Sequence, residues 1–374
     1  MKIDAHYYAV LAFCRACGFD KESACTIAYA SQFVDDAKIN HIVITPGSVI
    51  PEGVAYDIIE GRPSFFNMAT CHSYTRIKTF NYDAMINNTS AFHFVPGCNG
   101  KGFVKKMRCK EAGPVITGVL QEVLEEDDLV KLGIVLHAFA DTFSHQGFSG
   151  LLSKVNDIDQ VEILEGSGIL LADTYRKGLK WIREAICEWG DWVIPAYGHG
   201  QALVFPDLPY LTWSYLYDYS DEFSDTLKFS GIIDNKERYK RAFKGILKYL
   251  TIYLMEHPSY QEKEADLDGL HALFETLLTK KMDNGRIKNW QKVLVARGLF
   301  DEGDKNALEY DRDRWLKEAF SNFDRRAFDQ RKVAGAMLRD SFAESNWYSY
   351  YLAVKWYKQR VFRHCAQQGL DVCQ

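Results

Sequence analysis

From Asp127 to Gly147 the chain reads DDLVKLGIVLHAFADTFSHQG, and no other stretch limits the possible folds so tightly. Leu129, Val130, Leu132, Ile134, Val135, Leu136, Phe139, Ala140 and Phe143 leave almost no polar face, which predicts a central, buried helix. Into that apolar surround the sequence places His137, Asp141, Ser144 and His145. At about 100° per residue these four fall within an arc of roughly 100° and emerge on one side of the helix. An imidazole or carboxylate buried without a partner costs several kcal/mol, so they must meet counter-charges, hydrogen-bond partners or a metal.

The remaining 353 of 374 residues have to wrap this rod, and at 47% apolar and 14% aromatic the chain can bury a large core. No Ser/Gly/Pro-rich linker or low-complexity run divides it. The expected organisation is a metal-site helical core over residues 1–230, with a helical C-terminal extension over 231–374 packed on the same domain. A formal charge of −5 and a pI near 6.1 argue against an extended nucleic-acid surface. MKIDAHYYAVLAF does not read as a signal peptide, and no apolar run approaches the roughly 20 residues of a membrane span, so the expected location is the cytoplasm. Nine cysteines, an odd number scattered along the chain, fit reduced thiols better than a disulfide framework. Cys14 and Cys17 form a lone CxxC without a second pair to complete a zinc knuckle, and packing is the expected role.

Helical periodicity predicts a mainly all-α chain, a multi-helix bundle. A first helix runs over 4–18, a second from Lys21 to about Ala37, capped by Asp20 and rich in small residues. It ends in Asp35 and Asp36, two carboxylates opposing the helix dipole unless something cationic compensates. From His41 to Phe94 the helical period fades into a short irregular or β excursion carrying His72 and His93. Further helices are expected over 114–124, 168–189, 234–257 and 290–299, and two long ones between about Asp304 and Phe362. The stretch IPAYGHGQALVFPDLPYLTW is too rich in Gly and Pro for either regular structure, and its His199 stands between two glycines. His271 and His364 read as surface or half-buried residues.

Histidine and aspartate at i, i+4 on a helix can bind one ion from the same face, and His137 and Asp141 have that spacing. His145 lies on the same arc. Further candidate ligands follow the order His6, Asp35 or Asp36, His72 and His199, which makes a metal the expected partner of the central helix.

This arrangement resembles the zinc-dependent phospholipase C and fungal single-strand nuclease superfamily, in particular its uncharacterised bacterial relatives. The superfamily's ligand order is His, Asp, His, a helix with HxxxD, His, and a final HxxxE. Here these fall on His6 in DAHYY, Asp35 or Asp36 in FVDDA, His72 in CHSY, His137 and Asp141 in LHAFAD, His145 in FSHQG and His199 in YGHG, covering roughly residues 1–215. Leu203 stands where the last Glu belongs, and Asp207 in PDLP is the candidate to replace it. The phospholipases also use the amino group of an N-terminal Trp, whereas this sequence begins with Met1.

The resemblance implies an all-α fold, one to three Zn²⁺ ions, and a hydrolase that acts on a small phosphoester through metal-activated water. Asp141 would bridge two ions, and Asp35 or Asp36 would serve as ligand or as general base. Phe205, Tyr210, Trp213 and Tyr215 are candidate walls of the cleft. Two rival functions are a metal-stabilised helical binding protein without catalysis and an all-α terpenoid synthase. The latter would read Asp35 and Asp36 as a diphosphate motif, but its third carboxylate is missing at Ile39.

Overall fold

The computed structural model describes residues 1–71, 81–165, 197–217, 228–270, 274, 277–279, 282–329 and 335–372. A π-helical turn, Asp4–Ala9, runs into α1 (Val10–Cys17), followed by α2 (Lys21–Asp36). Asp20 caps α2, accepting from the Ser23 backbone N–H at 2.8 Å. The excursion forms β1 (His41–Val43), β2 (Asp57–Ile59) and β3 (Arg62–Phe66), an antiparallel sheet of order β1-β3-β2. Next come α3 (Pro114–Val123) and the central α4 (Leu129–Ser144).

A second sheet follows, made of β4 (Ile158–Glu165), β5 (Thr212–Tyr217), β6 (Lys228–Phe229) and β7 (Ile233–Asp234), with β5 pairing all three others. The chain closes through α5 (Asn235–Glu256), α6 (Asp283–Ala296) and α7 (Asn346–Gln367).

The expectation of a mainly all-α chain is therefore corrected. The described residues are about 52% helical with 13% strand, in two small sheets, and the architecture is mixed α and β. Two local causes hid the second sheet. A register shift between Asp159 and Glu162 breaks the alternation of Ile158, Val161 and Ile163, so β4 shows no period of two. β5 lies directly after the Gly- and Pro-rich stretch, and only its TWSYLY sequence carries β-formers. The expected long helix after Asp304 is also broken, into Lys305–Leu308, Arg314–Ala319 and Arg325–Asp329. Asp311 and Asp324 side chains accept there from the backbone N–H groups of Asp313 and Ala327, which competes with helix continuation. The helix expected at 168–189 and His271 lie outside the described residues.

α4 is the axis of the assembly. Asp128 caps it by accepting from the Val130 and Lys131 N–H groups, and every residue from Leu132 to Ser144 is buried. α2, α3, α5 and α7 all pack against it. The crossing with α2 is close: a Cβ on Gly133 would sit 2.4 Å from the Ile27 carbonyl oxygen and 2.6 Å from Ala30 Cβ. The small residues of α2 thus bring the two backbones together. Gly133→Ala is expected to force them apart and cost about 1–3 kcal/mol, as overpacking does. Urea unfolding checks this, and a wild-type midpoint would contradict the close crossing.

One large hydrophobic core draws on residues from Met1 to Val372, so residues on both sides of position 230 contribute to it. A smaller cluster built on Phe94, Phe148, Phe205, Trp213 and Tyr215 packs under the second sheet. Phe205, Trp213 and Tyr215 are buried there and are not cleft walls. In α7, Lys358 is 4% exposed, and its ammonium donates to the carbonyl oxygens of Asn67 at 2.8 Å and Ala69 at 3.3 Å and to the side chains of Asn67 and Asn88. The cysteines among the described residues are free thiols, and burial pushes those of Cys14 and Cys17 upward, the reverse of what reactivity requires. No helix among the described residues is long and apolar enough to cross a membrane.

Candidate metal centre

The C-terminal half of α4 presents His137 and Asp141 on adjacent turns, 0% and 1% exposed. Four other segments converge on them. The π-helical turn brings His6, whose ring stacks on His137 with centroids 3.8 Å apart and whose Nε2 lies 3.1 Å from Asp141 Oδ1. Single π-helical turns are frequent at functional positions. The last turn of α2 supplies Asp35, 3.9 Å from His137 Nε2. His93, just after the π-helical turn Met85–Ser90, places Nδ1 3.0 Å from Asp141 Oδ2 and 3.3 Å from His137 Nε2.

His145 caps the C-terminus of α4, and the loop ahead of β5 adds His199 and Asp207. Asp207 Oδ1 is 3.1 Å from His145 Nε2, and Oδ2 is 3.5 Å from His199 Nε2. Gly198, at φ +53°, makes this approach possible, because a Cβ there would sit 2.7 Å from the Phe94 ring. The Met1 ammonium links the two halves, 2.6 Å from Asp141 Oδ1 and 3.0 Å from Asp207 Oδ1.

The side chains form three groups in which one ligand atom per residue lies within 4.8 Å of the others: His6, Asp35 and His137; His93, His137 and Asp141, which shares His137 with the first; and His145, His199 and Asp207. Such buried His/Asp clusters could bind a metal ion. Imidazole nitrogen with carboxylate oxygen is a donor set that suits first-row divalent metals.

Ring orientation is a sharper test of fit. His93 Nε2 sits 3.1 Å from the Thr70 carbonyl, His145 Nδ1 2.7 Å from the His93 carbonyl, and His199 Nδ1 2.6 Å from the Leu203 carbonyl. Each of these nitrogens must carry the proton it donates, which fixes the tautomer of a neutral ring. The opposite nitrogen then faces the cluster; on His93, which the hydrogen bond to Asp141 holds well above the ordinary imidazole range against burial, that nitrogen favours its protonated form and would release the proton to bind a metal. Metal-ligating histidines are oriented in this way. His6 Nδ1 and His137 Nδ1, by contrast, are buried without a hydrogen-bond partner among the described residues.

The electrostatics follow from burial among opposite charges. Burial lowers His137 and His199 to about 4, so both are neutral at pH 7. Burial alone would raise Asp141, but His145, the N-terminal ammonium, His6 and His137 hold it well below the carboxylate range. Asp207 is likewise lowered, against burial, by the ammonium and His199.

Of the residues expected from the sequence, His6, Asp35, His137, Asp141, His145, His199 and Asp207 come together. Asp36 does not: it accepts from the Tyr310 hydroxyl at 2.9 Å and from Gln32 at 3.3 Å, outside all three groups. His72 lies outside the described residues. His93 was in view in the sequence but not assigned as a ligand. The available signal was its position between Phe92 and Phe94, an imidazole in an apolar setting that needs a buried partner.

A family model matches residues 1–365, and the chain belongs to that family, described as a family of unknown function (DUF6765). No curated protein and no solved structure matches significantly.

Proposed function

We propose that this DUF6765 protein is a metal-dependent hydrolase, with zinc as the metal, that acts on a phosphoester. The observation that carries this reading is the double engagement of Asp141. Oδ1 faces His6, and Oδ2 faces His93 and His137, with His145 Nδ1 at 3.6 Å. One buried carboxylate thus stands between the donors around α2 and the π-turn and the His145, His199 and Asp207 group. His6, Asp35, His93, His137 and Asp141 would hold one ion, and His145, His199 and Asp207 a second. The ligand order supports the phosphoester chemistry: with His93 as the third ligand it runs His, Asp, His, HxxxD, His, His, and Asp207 replaces the absent HxxxE carboxylate.

When bound, paired zinc ions bring the pKa of a coordinated water toward neutrality and neutralise charge on a phosphoryl centre. The chain's own residues supply the rest. An open cleft of about 570 Å³ is lined by Met1, Gln32, Asp35, Asp36, Tyr310 and Arg312, with Asp311 and Asp313 beside them. Asp35 is 29% exposed at the side chain, the least buried of the ligand set. Gln32 donates to its Oδ2 at 3.4 Å, which leaves Oδ1 toward the imidazoles. Asp35 is therefore placed to accept a proton from water entering by the cleft.

The deep burial of His93, His137 and Asp141 favours a second reading, a closed metal site that stabilises a binding protein. Elemental analysis of protein purified without added metal, together with hydrolysis of a chromogenic phosphodiester before and after chelation, separates the two. Hydrolysis that is lost with the metal and restored by zinc is expected. A single, tightly held ion without hydrolysis would sink the hydrolase.

A further inference from the structure

His6 is held differently from the other histidines of the cluster. His93, His145 and His199 each donate to a backbone carbonyl, and His137 is fixed in the middle of α4, but His6 Nδ1 has no acceptor among the described residues and stands on a π-helical turn. Its ring must be aimed by whatever fixes the π-helical turn. That turn is tied to α6. Asp4 Oδ2 accepts from Arg286 Nε at 2.5 Å, Arg286 Nη2 donates to Asp283 Oδ1 at 2.6 Å, and Lys2 donates to Asp283 Oδ2 at 2.7 Å.

Arg286 is fully buried and Asp4 is 3% exposed. The guanidinium also lies 6.0 Å from the centre of the Tyr210 ring, in the loop that delivers Asp207. A buried ion pair is a poor source of stability, because desolvation consumes most of the attraction and well-packed apolar groups do as well. What a planar guanidinium adds is direction, since its donors sit in a fixed fork.

We propose, resting on the metal reading above, that Arg286 is a positioning residue for the metal centre. Through Asp4 it sets the angle at which the π-helical turn presents His6 to Asp141 and His137. Helix α6 then belongs to the site although it contributes no ligand.

The test is the double variant Asp4→Asn with Arg286→Met, which removes both charges and leaves neither unpaired in the core. Zinc content, zinc affinity by competition with a chromophoric chelator, and thermal unfolding of the metal-free protein are compared with wild type. The expected result is metal-free unfolding close to wild type, with one ion per chain lost or held at least tenfold more weakly, the range seen when groups that orient ligands are removed. Cobalt(II) substitution reports the same change as an altered visible spectrum.

Full zinc content at wild-type affinity overturns the proposal. So does loss of all bound metal together with a collapse of metal-free stability, which marks the pair as merely structural. If wild-type protein itself takes up no zinc, the metal reading fails first and the positioning role falls with it.

Discussion

Asp141→Asn is expected to strip the protein of metal and lower its thermal stability in the same step. The carboxylate faces the Met1 ammonium, His6, His93, His137 and His145, all within 3.6 Å. An amide of the same shape offers one acceptor and two unwanted donors, so the Met1 ammonium loses its counter-charge and the imidazoles lose an acceptor inside the core. Removing one partner of a buried charge network costs about 3–5 kcal/mol. For a chain of this size that is a fall of roughly ten degrees in the unfolding temperature.

Any bound ion adds to the loss, since a ligand that binds only the folded state stabilises it by mass action. His137→Ala should show the same joint fall, with a cavity beside His6 as a further cost. Elemental analysis and thermal unfolding check both variants. Unchanged metal content in the two would overturn the assignment of the centre.

Lys358 should make stability rise with pH above neutrality. Burial lowers its ammonium to about 7 from the ordinary 10.5, and among the described residues its partners are neutral oxygens. Between about pH 7 and 10.5 the unfolded chain therefore holds a proton that the native chain has released. The unfolded state binds more protons over that window, so unfolding free energy climbs by about 1.4 kcal/mol per pH unit from this group. Below pH 7 both states are charged and the burial penalty is present in full.

Lys358→Met removes the titration. It also leaves the Asn67 and Ala69 carbonyls without this donor, at about 1–3 kcal/mol, so the slope discriminates better than the absolute value. Urea unfolding of both proteins at pH 7, 8 and 9 should give stability differences that shift steadily in favour of wild type. Parallel curves would mean that the four oxygens hold the ammonium charged throughout.

Local pattern made the central helix legible, because an all-round apolar run admits few environments and its polar residues share one arc. The Asp20 cap and the small residues of α2 were legible for the same reason. What escaped depended on distance in space. Asp35 and Asp36 are equivalent as neighbours in a last helical turn, and only the Tyr310 hydroxyl, 274 residues away, draws Asp36 aside. His93 gains its partners from Thr70 and Asp141, neither at a periodic spacing from it. The second sheet was masked by a bulge in β4 and by the loop before β5, and aspartates that turn the backbone cut the C-terminal helix that periodicity favoured.

The Asp4 to Arg286 pair spans 282 residues of sequence. During synthesis the segment carrying Asp4 and His6 leaves the ribosome 282 residues ahead of its anchor in α6, and His6 must wait for that helix to take its final place. Contacts of such high sequence separation are the slow ones to form. A nascent chain halted between Asp207 and α6 would carry the imidazoles and carboxylates of the cluster without the means to aim the first of them, so the complete centre waits for a helix that supplies no ligand.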